Sequence, residues 1–292
     1  MMYPIAAQYI QDNARYLEKL LHQHYFVSPC GDKVIKALGL YQNKDGGYGN
    51  GLEPDFRLSN SSAMASSVAL KLLSEFKNEP LAEVQIKNVI SYLEHTFNPV
   101  IEGWESVGKL VNLFPHAPWW HYHDSPSKYN LNPSAEILGY LIEFRSYVTT
   151  LDVDQLLKRY MAYYLSLENI EEHEYYSVLR LADRMSDIEH ALILPKLQLD
   201  YRRLVNLNRD EWQNYVPTHL KFAMLDQKNR LGISDLDLQE NIKYLKEVLD
   251  KSGFISPSWK WDKYEEEWEV AKREWTGILT LEALKALHLF VK

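Results

Sequence analysis

The chain has 292 residues, of which 46% are hydrophobic and 25% are charged, and these proportions exclude a disordered or fibrous protein. Its formal net charge of −8 provides no general attraction for nucleic acid or anionic lipid, so neither is an expected partner. A single cysteine excludes an intramolecular disulfide. The sequence also lacks a signal-peptide pattern and the roughly 20 apolar residues of a membrane helix, so we expect a cytoplasmic protein without a membrane span.

Helical periodicity dominates the sequence. Apolar residues recur at steps of three and four, as in Ile10, Ala14 and Leu17, and the pattern predicts roughly ten or more helices. In chain order, the predicted helices fall within residues 10–21, 34–41, 63–76, 84–93, 135–147, 156–167, 178–185, 188–204, 215–225, 242–249 and 276–290. No linker rich in Gly, Ser or Pro separates them, so we expect one domain over residues 1–292.

Three long segments lack clear periodicity, namely residues 45–60, 98–130 and 251–272. Long irregular loops in compact helical proteins are usually functional or disordered. These three are rich in Trp, Gly and Pro, which is not the composition of a disordered segment. We therefore look for functional residues in them.

A weak repeat connects these segments to the preceding helices. Residues 42–49, 101–104 and 249–254 each place a glycine before an aromatic residue at a predicted helix exit. Glycine allows the positive φ that ends many helices, and the aromatic ring can pack between neighbouring helices. Helical hairpins repeated in this way can pack side by side, and a closed ring covers the apolar edge of every hairpin.

The segment QNKDGGYG, residues 42–49, resembles the Gln-x-x-x-Gly-Gly-aromatic repeats of terpenoid cyclases and the glycine-aromatic turns of protein prenyltransferase β-subunits. The strings GLEPDFRLSNSSA (51–63), APWW (117–120) and NPSA (132–135) are similar to a group of bacterial prenyltransferase-like proteins. The resemblance covers less than a third of the chain. It implies an all-α fold of the α/α toroid type, a barrel of inner and outer helices.

The sequence departs from the reactive motifs of those families. In place of an Asp-x-Asp-Asp acid motif it has Asp152-Val153-Asp154 at a predicted helix start, where carboxylates cap the helix and favour its dipole. Aspartate-rich motifs that bind diphosphate through magnesium are absent, as is an Asp/Cys/His zinc set. We therefore predict no metal and no cofactor.

Three carboxylates in a glycine-rich loop are the candidate catalytic groups: Asp45, Glu53 and Asp55. The surrounding glycines allow a folded path that can bring carboxylates together, and neighbouring carboxylates shift each other's pKa, so that one can serve as acid and another as base. The structural alternative is that Asp45 is a turn residue and that Glu53 and Asp55 cap backbone amides or pair with Arg57.

A second candidate cluster, residues 118–124, provides substrate-binding groups. Adjacent tryptophans can present flat faces to a sugar, an isoprenoid or a cation, and the two histidines and the aspartate can titrate, bind a metal or orient a ligand. We favour non-metal roles for them, and the tryptophans can equally well plug the fold. The predicted substrate-binding residues are Tyr48, Arg57, Trp119, Trp120, His121, His123, Asp124 and Glu136. Glu136 has the alternative role of favouring a helix dipole.

A third cluster, residues 259–275, mixes tryptophans with acidic residues, and we interpret it as a solvated helix whose tryptophans cover the barrel. The leading functional hypothesis is an enzyme related to terpenoid cyclases and prenyltransferases that uses carboxylic acids on an apolar or ring-shaped small molecule in an aromatic pocket. The alternatives are a carbohydrate-active α/α-barrel enzyme and a non-catalytic binding or scaffold toroid. An isoprenoid site should be deep and apolar, a glycan site should be rich in hydrogen-bonding groups, and a scaffold should have a filled centre.

Overall fold

The computed structural model describes residues 3–124, 128–225 and 230–290. Within these ranges the protein contains α-helices, short 3-10 helices and isolated β-bridges but no β-strand, which confirms the predicted all-α class. None of the described helices is long and apolar enough to cross a membrane. The α-helices are α1 (Pro4–Asn13), α2 (Tyr16–Phe26), α3 (Gly31–Leu38), α4 (Ala63–Glu75), α5 (Pro80–Thr96), α6 (Leu131–Glu143), α7 (Val153–Ser166), α8 (Glu172–Ala182), α9 (Asp187–Leu204), α10 (His219–Leu225), α11 (Asp235–Ser252) and α12 (Glu265–Phe290).

Side-chain caps define the start of several helices. Ser62 accepts a hydrogen bond from the backbone N–H of Ala65 at the start of α4. Asp152 accepts one from the backbone N–H of Gln155 at the start of α7, which confirms its capping role. These bonds satisfy backbone donors that have no partner inside the helix.

Several predicted helix boundaries were wrong. The first predicted helix is two helices, because the backbone at Arg15 is extended and the chain turns between α1 and α2. The last helix, α12, begins at Glu265 instead of 276, so its first residues lie in a segment predicted to be irregular. Its first turn consists of glutamates, which the positive end of the helix dipole favours.

The helices differ in how much of their circumference is buried. In α6 nearly every residue from Leu131 to Leu141 is buried, which is typical of a helix in the interior. In α9 burial is limited to a stripe that includes Ile193 and Leu197, while Ile188 and Leu192 face the solvent. Thus α6 is an interior helix and α9 is a peripheral one.

Several even-numbered helices contact one another. Helix α6 lies between α4 and α8, α8 also contacts α10, and α12 contacts α2. Each even-numbered helix from α2 to α10 packs against the odd-numbered helix that follows it, and α12 packs against α1.

Paired side chains give the relative direction of neighbouring even-numbered helices. Lys71 of α4 pairs with Glu282 of α12, and four residues further on Glu75 pairs with Lys285. Because both members of the pair advance in the same direction, α4 and α12 run parallel. Helices α6 and α8 also run parallel, since Arg180 pairs with Glu136 and Arg184 pairs with Glu143.

We predict that a methyl group at Gly277 destabilises the fold. A Cβ atom there would lie 2.7 Å from the Cβ of Ala14, where α12 crosses the turn between α1 and α2. Overpacking of this kind costs about 1–3 kcal/mol and outweighs the gain of about 1 kcal/mol in helix propensity. Urea denaturation should therefore show a lower free energy of unfolding for Gly277→Ala.

The matched control is Gly108→Ala, because a Cβ at Gly108 would have no neighbour within 4 Å. Its free energy of unfolding should be unchanged or slightly raised. Equal behaviour of the two variants would mean that α12 does not approach Ala14 so closely.

Candidate functional site

The first half of the glycine-rich loop is attached to α5. Gly46 has a φ of 90°, and a Cβ there would collide with the carbonyl oxygen of Asn88, so the position requires glycine. The hydroxyl of the buried Tyr48 donates a hydrogen bond to Oε1 of Gln85 at 2.7 Å. Asp45 accepts hydrogen bonds from the backbone N–H of Gly47 and, at 2.7 Å, from the hydroxyl of Ser61. This half of the loop packs against α5, and it contains two of the predicted site residues, Asp45 and Tyr48.

The second half of the loop lies on a segment that leads to the predicted tryptophan cluster. The backbone N–H of Arg57 donates to the carbonyl of Pro115, and the N–H of Ala117 donates to the carbonyl of Asp55, both at 2.8 Å. Phe56 between them packs edge-to-face on Trp120, with ring centroids 5.7 Å apart. The two loops therefore lie against each other.

Tryptophans from the C-terminal part of the chain surround the carboxylate of Asp55. The indole N–H groups of Trp261 and Trp275 both donate to its Oδ1, each at 2.9 Å. The indole of Trp259 acts electrostatically on the same carboxylate, although its N–H has no partner with hydrogen-bond geometry. Asp55 is only 5% exposed, so these donors replace water as the solvation of the charged group.

Glu53 lies beside Asp55 and is also buried. Its Oε1 accepts a hydrogen bond from the backbone N–H of Asp55 at 3.1 Å. Burial, and secondarily the charge of Asp55, raise the pKa of Glu53 to about 8. Burial also raises the pKa of Asp55, although the indole N–H groups and Arg57 oppose that rise. At neutral pH the pair therefore holds a proton, which Glu53 carries, and Asp55 is the better-solvated charge.

Two arginines lie within electrostatic range of this carboxyl pair. Nη1 of Arg57 pairs with Glu274 of α12 at 2.8 Å, while Nε and Nη2 are buried and have no hydrogen-bond partner among the residues that the structure describes. Arg15 forms two hydrogen bonds with Glu18 and donates to the carbonyls of Gly51 and Leu52. The second arginine thus fixes the backbone that leads into Glu53.

The predicted tryptophans are not the ones that contact the carboxyl pair. Trp119 is 51% exposed. Trp120 packs with Trp261 and Trp268 in a small cluster, and its own N–H is buried without a partner within the described part of the chain. Trp120 therefore supports the position of Trp261, which contacts Asp55 directly.

The predicted histidines form a cluster of their own. Nε2 of His116 and Nδ1 of His121 lie 3.1 Å apart with the rings stacked, and the ring of His123 lies 5.1 Å from that of His121. Partial desolvation and the neighbouring histidines lower the pKa of His121. His123 and Asp124 are exposed. In residues 3–124, 128–225 and 230–290, no group of three or more His, Cys, Asp and Glu side chains is arranged to hold a metal ion.

Glu136 lies on α6. It accepts a hydrogen bond from the hydroxyl of Tyr140 and pairs with Arg180 at 2.9 Å. Burial acts to raise the pKa of Glu282, but Lys71 and Arg180 help to lower it below its ordinary value. The side chain of Glu282 is half exposed. Solvent therefore reaches charged side chains that lie between α4, α6, α8 and α12.

Tyr215 links the region of the carboxyl pair to the region of Glu282, and it was not among the predicted site residues. Its ring packs edge-to-face on Trp259 at 5.1 Å, and Trp259 packs on Trp275 at 5.3 Å. Charges of Asp55, Glu53 and Glu282 all act on its hydroxyl. The acidic and tryptophan-rich composition of residues 259–275 was a usable signal for the tryptophans, whereas nothing in the local sequence distinguishes Tyr215. The roles predicted for individual residues stay predictions.

Comparison of the chain with protein-family models, with curated proteins and with solved structures found no match.

We predict that Asp55→Ala destabilises the protein by about 2–4 kcal/mol, because it leaves the N–H groups of Trp261 and Trp275 without their acceptor. Asp55→Asn keeps an acceptor oxygen at the same place and should cost clearly less. Urea denaturation measures both values. Equal losses for the two variants would contradict the proposed role of the indole hydrogen bonds.

We predict that Glu53 makes stability fall as pH rises. A carboxyl group with a raised pKa binds its proton more tightly in the folded protein, so its contribution is complete below the unfolded pKa and is lost as pH rises through the folded pKa. For Glu53 that interval extends from its ordinary value of 4.5 to about 8. The slope is at most about 1.4 kcal/mol per pH unit.

Glu53→Gln is the matched control, because the amide resembles the protonated acid and does not titrate. Urea denaturation from pH 5 to pH 8 should show the variant gaining stability relative to the unmodified protein. Parallel curves would show that Glu53 is ionised throughout this range.

Proposed function

We propose that the chain is an enzyme that performs acid–base chemistry on a polar, hydroxyl-rich small molecule of the carbohydrate class. The observation that carries this proposal is the buried carboxyl pair Glu53 and Asp55, in which two indole N–H groups donate to Asp55. Perturbed carboxyl groups next to aromatic side chains are typical of active sites that transfer protons. Burying a carboxyl group that has no cation in direct contact costs free energy of folding. Stability alone therefore does not explain this pair.

We further propose an α/α toroid as the architecture. The even-numbered helices would form the inner ring and the odd-numbered helices the outer one. The contacts between successive even-numbered helices, the parallel pairs α4/α12 and α6/α8, and the packing of α12 on both α1 and α2 support this arrangement. The predicted single domain would then be the toroid itself.

In the proposed mechanism, Glu53 donates a proton to the substrate and Asp55 stays ionised. Two indole N–H groups fix the Asp55 oxygen that they share, so the charge needs little reorganisation when a proton moves nearby. Trp259, Trp275 and Tyr215 are partly exposed and provide ring faces and edges for a sugar. Arg57, which lowers both carboxyl pKa values, limits how strongly the pair holds its proton.

The charged side chains between the inner helices favour a carbohydrate over an isoprenoid. Arg180 with Glu136, Lys71 with Glu282 and Lys221 with Glu172 offer hydrogen-bonding groups to a ligand. An isoprenoid would leave such groups without water or a polar partner, which costs free energy. A filled scaffold would bury these pairs, whereas Glu282 is half exposed.

We predict that the purified protein consumes a metabolite from a polar cell extract but none from a lipid extract. Glu53→Gln should lower the rate of consumption at least tenfold, because removal of a general acid costs about 10²–10⁴ in rate. Mass spectrometry before and after incubation measures the loss. The control is Glu240→Gln, an exposed carboxylate of α11 that should leave the rate unchanged.

Consumption confined to the lipid extract would favour the isoprenoid hypothesis instead. The absence of consumption in both extracts, with the protein folded by circular dichroism, would reject the enzyme proposal.

A further inference from the structure

Lys221 occupies an unusual position on the inner helices. It is the third residue of α10, and its Nζ lies over the rings of Tyr176 and Tyr215, at 4.6 and 4.7 Å from their centroids. Its side chain is 40% exposed, so solvent reaches part of it. The tyrosines hold the amine on two sides and restrict its rotamers.

The amine of Lys221 has only a long ion-pair contact, although acidic side chains lie near it. In the described part of the chain, its nearest carboxylate oxygen, on Glu172, lies 3.7 Å away, which is beyond hydrogen-bond distance. Lys71 is a natural comparison, because it belongs to the same network and is 41% exposed, yet it lies 3.2 Å from Glu282. A directly paired ammonium is held in its charged form, whereas the amine of Lys221 is freer to lose its proton.

The surrounding charges both raise and lower the pKa of this amine. Burial has the largest effect and lowers the pKa of Lys221, and Arg180 lowers it further, while Glu172 and Glu282 raise it. Desolvation favours the neutral amine, which is the nucleophilic form.

A chain of hydrogen-bonding groups begins at Lys221. Its Nζ lies 3.5 Å from the hydroxyl of Tyr215, which lies 3.4 Å from Nε2 of His173. Burial lowers the pKa of His173, so its neutral imidazole can accept a proton from the tyrosine hydroxyl. On the other side, Glu172 accepts a hydrogen bond from Tyr176.

We propose that Lys221 is an amine nucleophile that forms an imine with the aldehyde or ketone group of a substrate, with Tyr215 and His173 as its proton relay. The inference rests on the proposed function for the place of the ligand, because Tyr215 also borders the Trp259 side of the carboxyl pair. An open-chain sugar carries both the hydroxyl groups that the site suits and the carbonyl group that Lys221 requires.

The reaction is balanced without a further reactant. The ammonium of Lys221 gives a proton to Tyr215 and His173, and the free amine adds to the carbonyl carbon to form a C–N bond. The resulting carbinolamine takes that proton back on its hydroxyl group, which leaves as water. The product is a protonated imine, and the net change is the loss of one water.

The experiment is reductive trapping of the intact protein at pH 7 with D-glyceraldehyde and cyanoborohydride, which converts an imine into a stable secondary amine. Peptide mapping by mass spectrometry then gives the rate of modification at each lysine. Lys221 should be modified at least tenfold faster than Lys71, the comparison lysine of similar exposure. Tyr215→Phe should slow modification at Lys221 and leave Lys71 unaffected.

Modification of Lys221 no faster than that of Lys71 would overturn the proposal. If Lys221 is modified rapidly and Tyr215→Phe does not change that rate, the proton relay is overturned, whereas the role of Lys221 as a nucleophile is retained. Trapping requires no turnover of a natural substrate, so its outcome and the comparison of polar and lipid extracts are independent.

Discussion

The hydrogen bonds from Trp261 and Trp275 to one oxygen of Asp55 hold the candidate site together. They join a loop between α3 and α4 to the C-terminal part of the chain, across more than 200 residues of sequence. Without them, a carboxylate that is 5% exposed would have neither water nor enough donors, and its burial would be unfavourable. The raised pKa of Glu53 depends on the same arrangement, because a neighbouring charge at Asp55 is one of its causes.

The tryptophans contribute to this site as hydrogen-bond donors as well as flat surfaces. A carboxylate solvated by ammonium or guanidinium groups would have a strongly lowered pKa and would stay ionised. Indole N–H groups carry no net charge, so they stabilise Asp55 without making the pair a permanent dianion. This chemistry lets two adjacent carboxyl groups keep a proton near neutral pH, which is the property that acid–base catalysis needs.

The helices and the loop that carries Glu53 and Asp55 could be predicted from the sequence. The residues that contact this loop in the site could not. Periodicity reports which face of a helix is apolar, so the all-α class and most helix positions were predictable. The glycine-rich loop revealed Glu53 and Asp55 because several glycines and carboxylates occur together there. The partners Trp261, Trp275 and Tyr215 are distant in sequence, and only tertiary packing decides which tryptophans reach a carboxylate. For the same reason the adjacent Trp119 and Trp120, which were conspicuous in the sequence, lie outside the contact shell of Asp55.

The ion pairs between α12 and the α4 region also bear on how the protein is made. Arg57 and Lys71 have their partners at Glu274 and Glu282, so a nascent chain on the ribosome exposes these cations, and the carboxyl pair, until α12 has been synthesised. During that interval the loop of Asp55 lacks its tryptophan donors. The buried carboxyl pair therefore forms only after Trp261 and Trp275 have been synthesised and have packed on the loop.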